Sequence, residues 1–141
     1  MIHKSNRRKK KATRLAASAV EFALVAPLMI AFTFGLVELG RMMLVKQTAT
    51  HATREGARIA VRPTATTSDV VDRVNDELAL MGIQNATVET VPASIETSTP
   101  SGIVTVRVAI DISSITWVPG FLNLDATQII AESSMRREST N

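Results

Sequence analysis

Two carboxylates, Glu21 and Glu38, bracket the apolar stretch "ASAVEFALVAPLMIAFTFGLVELGR" at residues 17–41, and no other residues are as chemically out of place. A charged side chain near a bilayer centre costs about 2.5–3.5 kcal/mol on insertion scales, and an opposite charge with a hydrogen bond lowers that cost. Glu21 could therefore pair with a cation. Equally, it could sit at a helix N-terminus, stabilised by the macrodipole and snorkelling to headgroups. Elsewhere, residues able to do chemistry are scarce. His3 lies in a basic N-terminal segment and His51 has no second ligand nearby, so His51 reads as a surface residue. The sequence has no cysteine, hence no disulfide, thiolate metal site or cysteine nucleophile. It has no Gly-rich phosphate loop, and its acids form no paired site. No catalytic residue, metal, cofactor or small-molecule substrate is expected.

The elements around Glu21 follow from charge and length. Phe22–Val37 carries no charged residue and would span ~24 Å as a helix at about 1.5 Å per residue. That is short of a hydrocarbon core of about 30 Å, so the span must draw on Leu15–Glu21 and on Glu38–Leu39. Seven cations and no acid precede Leu15, leaving nine basic residues against all 13 acidic ones in the rest of the chain. The net charge of +3 thus belongs to one short tail, which reads as a topology signal and not as a nucleic-acid interface. The positive-inside rule places the N-terminus in the cytoplasm. A cleaved signal peptide would put its small residues after the apolar run, but here Ala16-Ala17-Ser18-Ala19 come before it. The expected organisation is a basic cytoplasmic leader at 1–16, a transmembrane helix at 17–40, a periplasmic extension of that helix at 41–62, and a small domain at 63–141. Pro27 lacks an N–H and should bend or locally open the helix about Ala23. That break would either give the helix useful flexibility or be a harmless kink.

Helical signals continue to Val61. Ala49, Ala52, Gly56 and Ala60 fall on one face, and a helical glycine costs about 1 kcal/mol relative to alanine. Gly56 therefore marks the close approach of another backbone, with the protein's own sheet expected as the neighbour ahead of a second subunit. Glu55 and Arg58 can pair at i,i+3. A second, amphipathic helix follows Pro63, with Ser68 as its expected N-cap, Gly82 at C′, and Val70, Val71, Val74, Leu78 and Met81 as its apolar stripe. Three strands are expected at Ala86–Val91, Ile103–Ile112 and about Asp125–Arg137. In the second, Val104, Val106, Val108, Ile110 and Ile112 alternate with Thr105, Arg107 and Asp111. The long connections at 92–102 and 113–123 imply antiparallel pairing with one face covered by helices. Trp117 and Phe121, in a Pro-Gly loop, are either exposed apolar contacts or tucked over the end of the sheet. The fold class is α+β: a long N-terminal transmembrane helix continuing into the periplasm, a second amphipathic helix and a small antiparallel sheet of about three strands. With roughly 80 residues after Pro63, the core is small. Four Phe, one Trp and no Tyr leave it to be built from Val, Ile, Leu and Ala.

A basic leader, small residues, a Glu and an uninterrupted helix make the layout of type IV pilin precursors. The sequence resembles the TadE-like pseudopilins of tight-adherence (Flp-type) pilus systems. The resemblance is carried by "SAVEFALVAPLM" (18–29), "GLVELGR" (35–41), "ATREGARIAV" (52–61) and "SSMRRE" (133–138). It implies that a prepilin peptidase cuts between Ala16 and Ala17, which makes Glu21 the fifth mature residue. The family usually has Gly where Ala16 stands, and Ala is small enough to fit a tight peptidase site. It further implies that Glu21, followed by Phe22, pairs with the N-terminal amine of a neighbouring subunit and sets the axial register. The implied protein is a non-catalytic minor pseudopilin of a pilus used in adhesion or secretion. Its partners would be the inner membrane, the peptidase, other pilin or pseudopilin subunits and the assembly platform. The competing reading is a single-pass inner-membrane protein whose periplasmic domain binds other envelope components without entering a filament.

Overall fold

The computed structural model describes residues 3–115 and 128–138, with side chains from Arg14 onward. In chain order the elements are α1 (His3–Ala60), α2 (Thr67–Ala79), β1 (Ala86–Val91), β2 (Ile103–Asp111), a 3-10 turn (Ile112–Ser114) and β3 (Gln128–Arg136). The strands form one antiparallel sheet in the order β1-β2-β3. The expected α+β class is therefore observed. The chain divides into two compact units, Met1–Val37 and Glu38–Asn141.

In the second unit the sheet alternates as its sequence dictates. On β2, Val104, Val106, Val108 and Ile110 are fully buried while Ile103, Arg107 and Asp111 are exposed. Ile112 departs from the expected strand, because the chain turns into the 3-10 turn there and leaves it half-buried. The inner face continues onto Val88 of β1 and onto Ile129, Ala131 and Met135 of β3. Together with Val45, Ala49, Ala52, Ala57 and Ala60 of α1 and Val70, Val74 and Leu78 of α2, these residues make one core. Of the expected stripe on α2, Val71 is half-buried and Met81 is exposed. On the outer face Glu89, Arg107 and Glu132 stand in register across the three strands, an alternation of charge that favours this pairing.

The helix ends explain two adjustments to the sequence reading. The N-cap of α2 is Thr66, not Ser68. The amide of Asp69 donates to Thr66 Oγ1 at 3.2 Å, and the amide of Thr66 donates to Asp69 Oδ2 at 2.9 Å. This reciprocal capping box needs a hydroxyl three residues before a side chain that reaches back, which Thr66 and Asp69 supply and Ser68 does not. Gly82 does take the left-handed conformation, at φ +71°, two residues past the C-cap Leu80.

Glu96 reinforces the start of α2 from the loop after β1. Its carboxylate accepts from the amide of Thr67 at 2.7 Å and from Ser94 Oγ at 2.6 Å. The Ser94 hydroxyl first, and then the Thr67 amide, hold the Glu96 carboxyl down at about 2. Asp69 is lowered too, chiefly by the amide and then the hydroxyl of Thr66. Next to this cap Arg137 is buried, although it is a cation. Its guanidinium donates to Pro63 O at 2.9 Å and also to Ile95 O and Ser98 Oγ. Its backbone amide reaches Gly102 O at 2.8 Å, and the amide of Glu138 reaches Val61 O at 3.0 Å.

Two outcomes test this packing on the full chain in detergent. A Cβ built on Gly56 would lie 2.5 Å from Val74 Cγ2, and a β-branched side chain has little freedom to yield. Gly56→Ala should therefore lower the urea midpoint, the overpacking cost of about 1–3 kcal/mol exceeding the helix-propensity gain of about 1 kcal/mol. Separately, a carboxyl lowered on folding stabilises above its unfolded value and loses that effect as pH falls through its folded value. Thermal stability should then fall on acidification from about 4.5 toward about 2, and Glu96→Gln should flatten that slope.

Candidate functional site

Arg14–Ala60 is long and apolar enough to cross a membrane, and its most apolar stretch is not buried at all. Leu15, Phe22, Leu24, Leu28, Phe32 and Phe34 all expose more than half of their surface. From Leu15 onward no β-branched run, glycine pair or cluster of charges interrupts the helix, and it continues through Pro27 without a break. It begins before the expected start at Ala17, at His3 inside the basic segment.

In this first unit Ala16, Ala17, Glu21 and Phe22 are exposed on two successive turns. The Glu21 carboxylate has no hydrogen bond or ion pair among the described residues. Such a carboxylate, flanked by Val20 at 61% and Phe22 at 72% exposure, is set for an external cation or for headgroup water. The hydroxyl of Thr33 turns back to Met29 O at 2.8 Å and leaves no polar group open there.

In the second unit the small residues of α1 make the packing face. Ala49, Ala52 and Ala60 are fully buried and Gly56 is buried with them. The nearest side chain to Gly56 is Val74 of α2, and Val106 of the sheet lies 3.4 Å from the position of a Cβ. Thr53, also fully buried, satisfies its hydroxyl on Thr50 O at 2.9 Å. On the solvated side Arg73 bridges Glu77 at 2.5 Å and Glu55 at 3.9 Å, and Arg58 meets Glu55 at 3.6 Å. His51 Nδ1 lies 3.6 Å from Glu77 Oε2, with its side chain 64% exposed. Among the described residues no group of three or more His, Asp and Glu could hold a metal ion.

Glu38 is the polar residue that sequence reasoning noticed without reading its fate. It is 7% exposed, and its Oε1 is buried with no hydrogen-bond partner. A signal was available in the spacing: Glu38, Val45, Ala49, Ala52 and Gly56 recur at helical intervals, which puts Glu38 on the buried stripe. Trp117 and Phe121 lie outside the described residues.

Residues 16–58 match the family model of TadE-like proteins. No curated protein and no solved structure matches the chain. The matched region takes in Ala16, Ala17, Glu21, Phe22 and Pro27 and extends over the packing residues Ala49, Ala52 and Gly56. The resemblance to TadE-like proteins is thereby shown along α1. It points to a tight-adherence pilus system, and the apolar helix fits a single-pass membrane protein within one.

A buried carboxylate oxygen without a partner lowers stability by about 1–3 kcal/mol. Glu38→Met, similar in length and apolar, should therefore raise the thermal midpoint of the full chain in detergent. A fall on that substitution would show that the carboxylate is satisfied in the folded protein.

Proposed function

We propose that the chain is a non-catalytic minor pseudopilin that contributes to assembly of a tight-adherence (Flp-type) pilus. The observation that carries this reading is the TadE-like match over 16–58 falling on a helix whose apolar side chains are unburied. Each such Leu or Phe is worth about 1.5–3 kcal/mol when removed from water. The helix can therefore leave a bilayer only into another apolar setting, and a bundle of like helices is one. In this reading the second unit lies in the periplasm and prepilin peptidase cuts between Ala16 and Ala17. Removing the seven cations ahead of Leu15 releases the N-terminus from the cytoplasmic face. The cut also frees an amine on Ala17, and Glu21 pairs with that amine on a neighbouring subunit. The pair neutralises two charges that are costly in lipid and fixes the axial register between helices. Partners are other pilin or pseudopilin subunits and the assembly platform of the inner membrane.

N-terminal sequencing of purified pili should find this chain starting at Ala17. An intact Met1, or absence from the pili, would favour a fixed anchor whose domain binds other envelope components. Glu21→Ala should leave insertion and processing intact and abolish support of pilus assembly, read by counting surface pili. Normal piliation in that mutant would remove the assembly role of Glu21.

A further inference from the structure

We propose that a shallow groove on the second unit, between the first turns of its α1 segment and the start of β3, is a phospholipid contact that seats the folded unit on the membrane surface. The groove has a volume of about 480 Å³ and is lined by Met42, Met43 and Lys46 on one side and Ile112, Ile129 and Ile130 on the other, with two glutamines. The inference rests on α1 spanning a membrane, and goes beyond it by assigning lipid to a surface of the folded unit.

Three observations converge on that occupant. Apolar exposure along α1 does not stop at Glu38: Leu39 is 45% exposed, Met43 57% and Leu44 47%. After Leu44 the next large exposed apolar side chain is Leu80, so the exposure forms a band with an end. Met42–Lys46 lies within nine residues of Val37, the last residue of the uncharged run, so the chain itself holds this segment near the surface of any bilayer that the run spans.

The groove is also continuous with that band through Met43. On its far wall Ile130, 38% exposed, interrupts an outer strand face that is otherwise polar at Gln128, Glu132 and Ser134. Finally, the lining contains one cation and no acid. The nearby Asp111 already accepts from Gln128 Nε2 at 3.0 Å. Lys46 Nζ donates to Ile130 O, which leaves further donors of the ammonium for a phosphate oxygen. A phosphate above Lys46 with upper acyl methylenes against Met43 and Ile130 satisfies both kinds of surface.

The absence of native cysteines allows single nitroxide labels on the full chain in phosphatidylethanolamine–phosphatidylglycerol vesicles. Labels at Phe32→Cys, Ile130→Cys, Met43→Cys and Thr87→Cys are compared for collision with oxygen and with a water-soluble nickel chelate. Phe32 should favour oxygen strongly and Thr87 the chelate. Ile130 and Met43 should show an oxygen-to-chelate ratio several-fold above that of Thr87, and Lys46→Glu should return Ile130 toward the Thr87 value. If Phe32 itself favours the chelate, the membrane reading fails. If Phe32 favours oxygen while Ile130 and Met43 behave as Thr87 does, the groove is not a lipid contact. Exclusion of both reagents at Ile130 and Met43 would assign the groove to a protein partner and also overturn the proposal.

Discussion

The approach of α1 to the valines of α2 and β2 at Gly56 is the contact on which the folded unit depends. The nearest valine methyl sits 2.5 Å from where a Cβ would be, so hydrogen is the only side chain that fits without rearrangement. Close packing of a helix against both a second helix and a sheet requires small residues on its inner face, because interiors are packed to crystal-like density. Ala49, Ala52 and Ala60 extend that face by one or two turns on each side. A core built largely from Val, Ile and Ala, with almost no aromatic bulk, holds together through short distances more than through large side chains. The glycine lowers intrinsic helix stability, and tertiary packing compensates for it.

The same helix serves two solvents. From Leu15 to Val37 its large apolar side chains face outward, whereas from Val45 onward its small residues face a protein core. In the first region water is the wrong environment, and in the second the outward positions carry Arg54, Arg58 and His51. The change happens within about two turns of Glu38. A carboxylate there is buried and has no partner on Oε1. Burying a polar atom without a partner costs free energy, so at this oxygen an apolar side chain would be favoured by stability alone.

Much of this was legible in the sequence, because the informative patterns are local. Strand β1 matches its expected limits, β2 shortens by one residue, and β3 follows its looser alternation over Gln128–Arg136. The period-2 run of β2 could belong to nothing else. The cap of α2 was misplaced because Thr66, Thr67 and Ser68 all offer hydroxyls, and only the spacing to Asp69 distinguishes them. What escaped the sequence was set by contacts distant along the chain. Glu96 reaches Thr67 from the loop after β1, and no pattern within that loop announces a cap for another element. Gly56 was recognised as a close approach, yet its tightest neighbour is a side chain of α2, with the sheet second. The α1 residues at 16, 17, 21 and 22 are positioned by the helix alone, so their placement was readable while their partners were not.

Arg137 shows how the unit closes on itself. A buried guanidinium is costly unless its donors are met, and here backbone carbonyls meet them: Pro63 after α1 and Ile95 in the loop following β1, together with the Ser98 hydroxyl. The adjacent amides of Arg137 and Glu138 join Gly102 and Val61. One residue at the end of β3 thus ties the α1–α2 turn, the 92–102 loop and the sheet edge together through donors that point in several directions. Lysine could not substitute, because its donors radiate from one compact ammonium and lack the planar spread of the guanidinium. This closure sits at the Ala60 end of α1, whereas Leu39, Met43 and Leu44 stay exposed near the start of the unit. There the helix is held by the burial of Val45 and by Lys46, whose ammonium donates to Ile130 O of β3. The unit thus grips its segment of α1 at both ends, by a buried guanidinium at one and by an apolar contact and a single ammonium at the other.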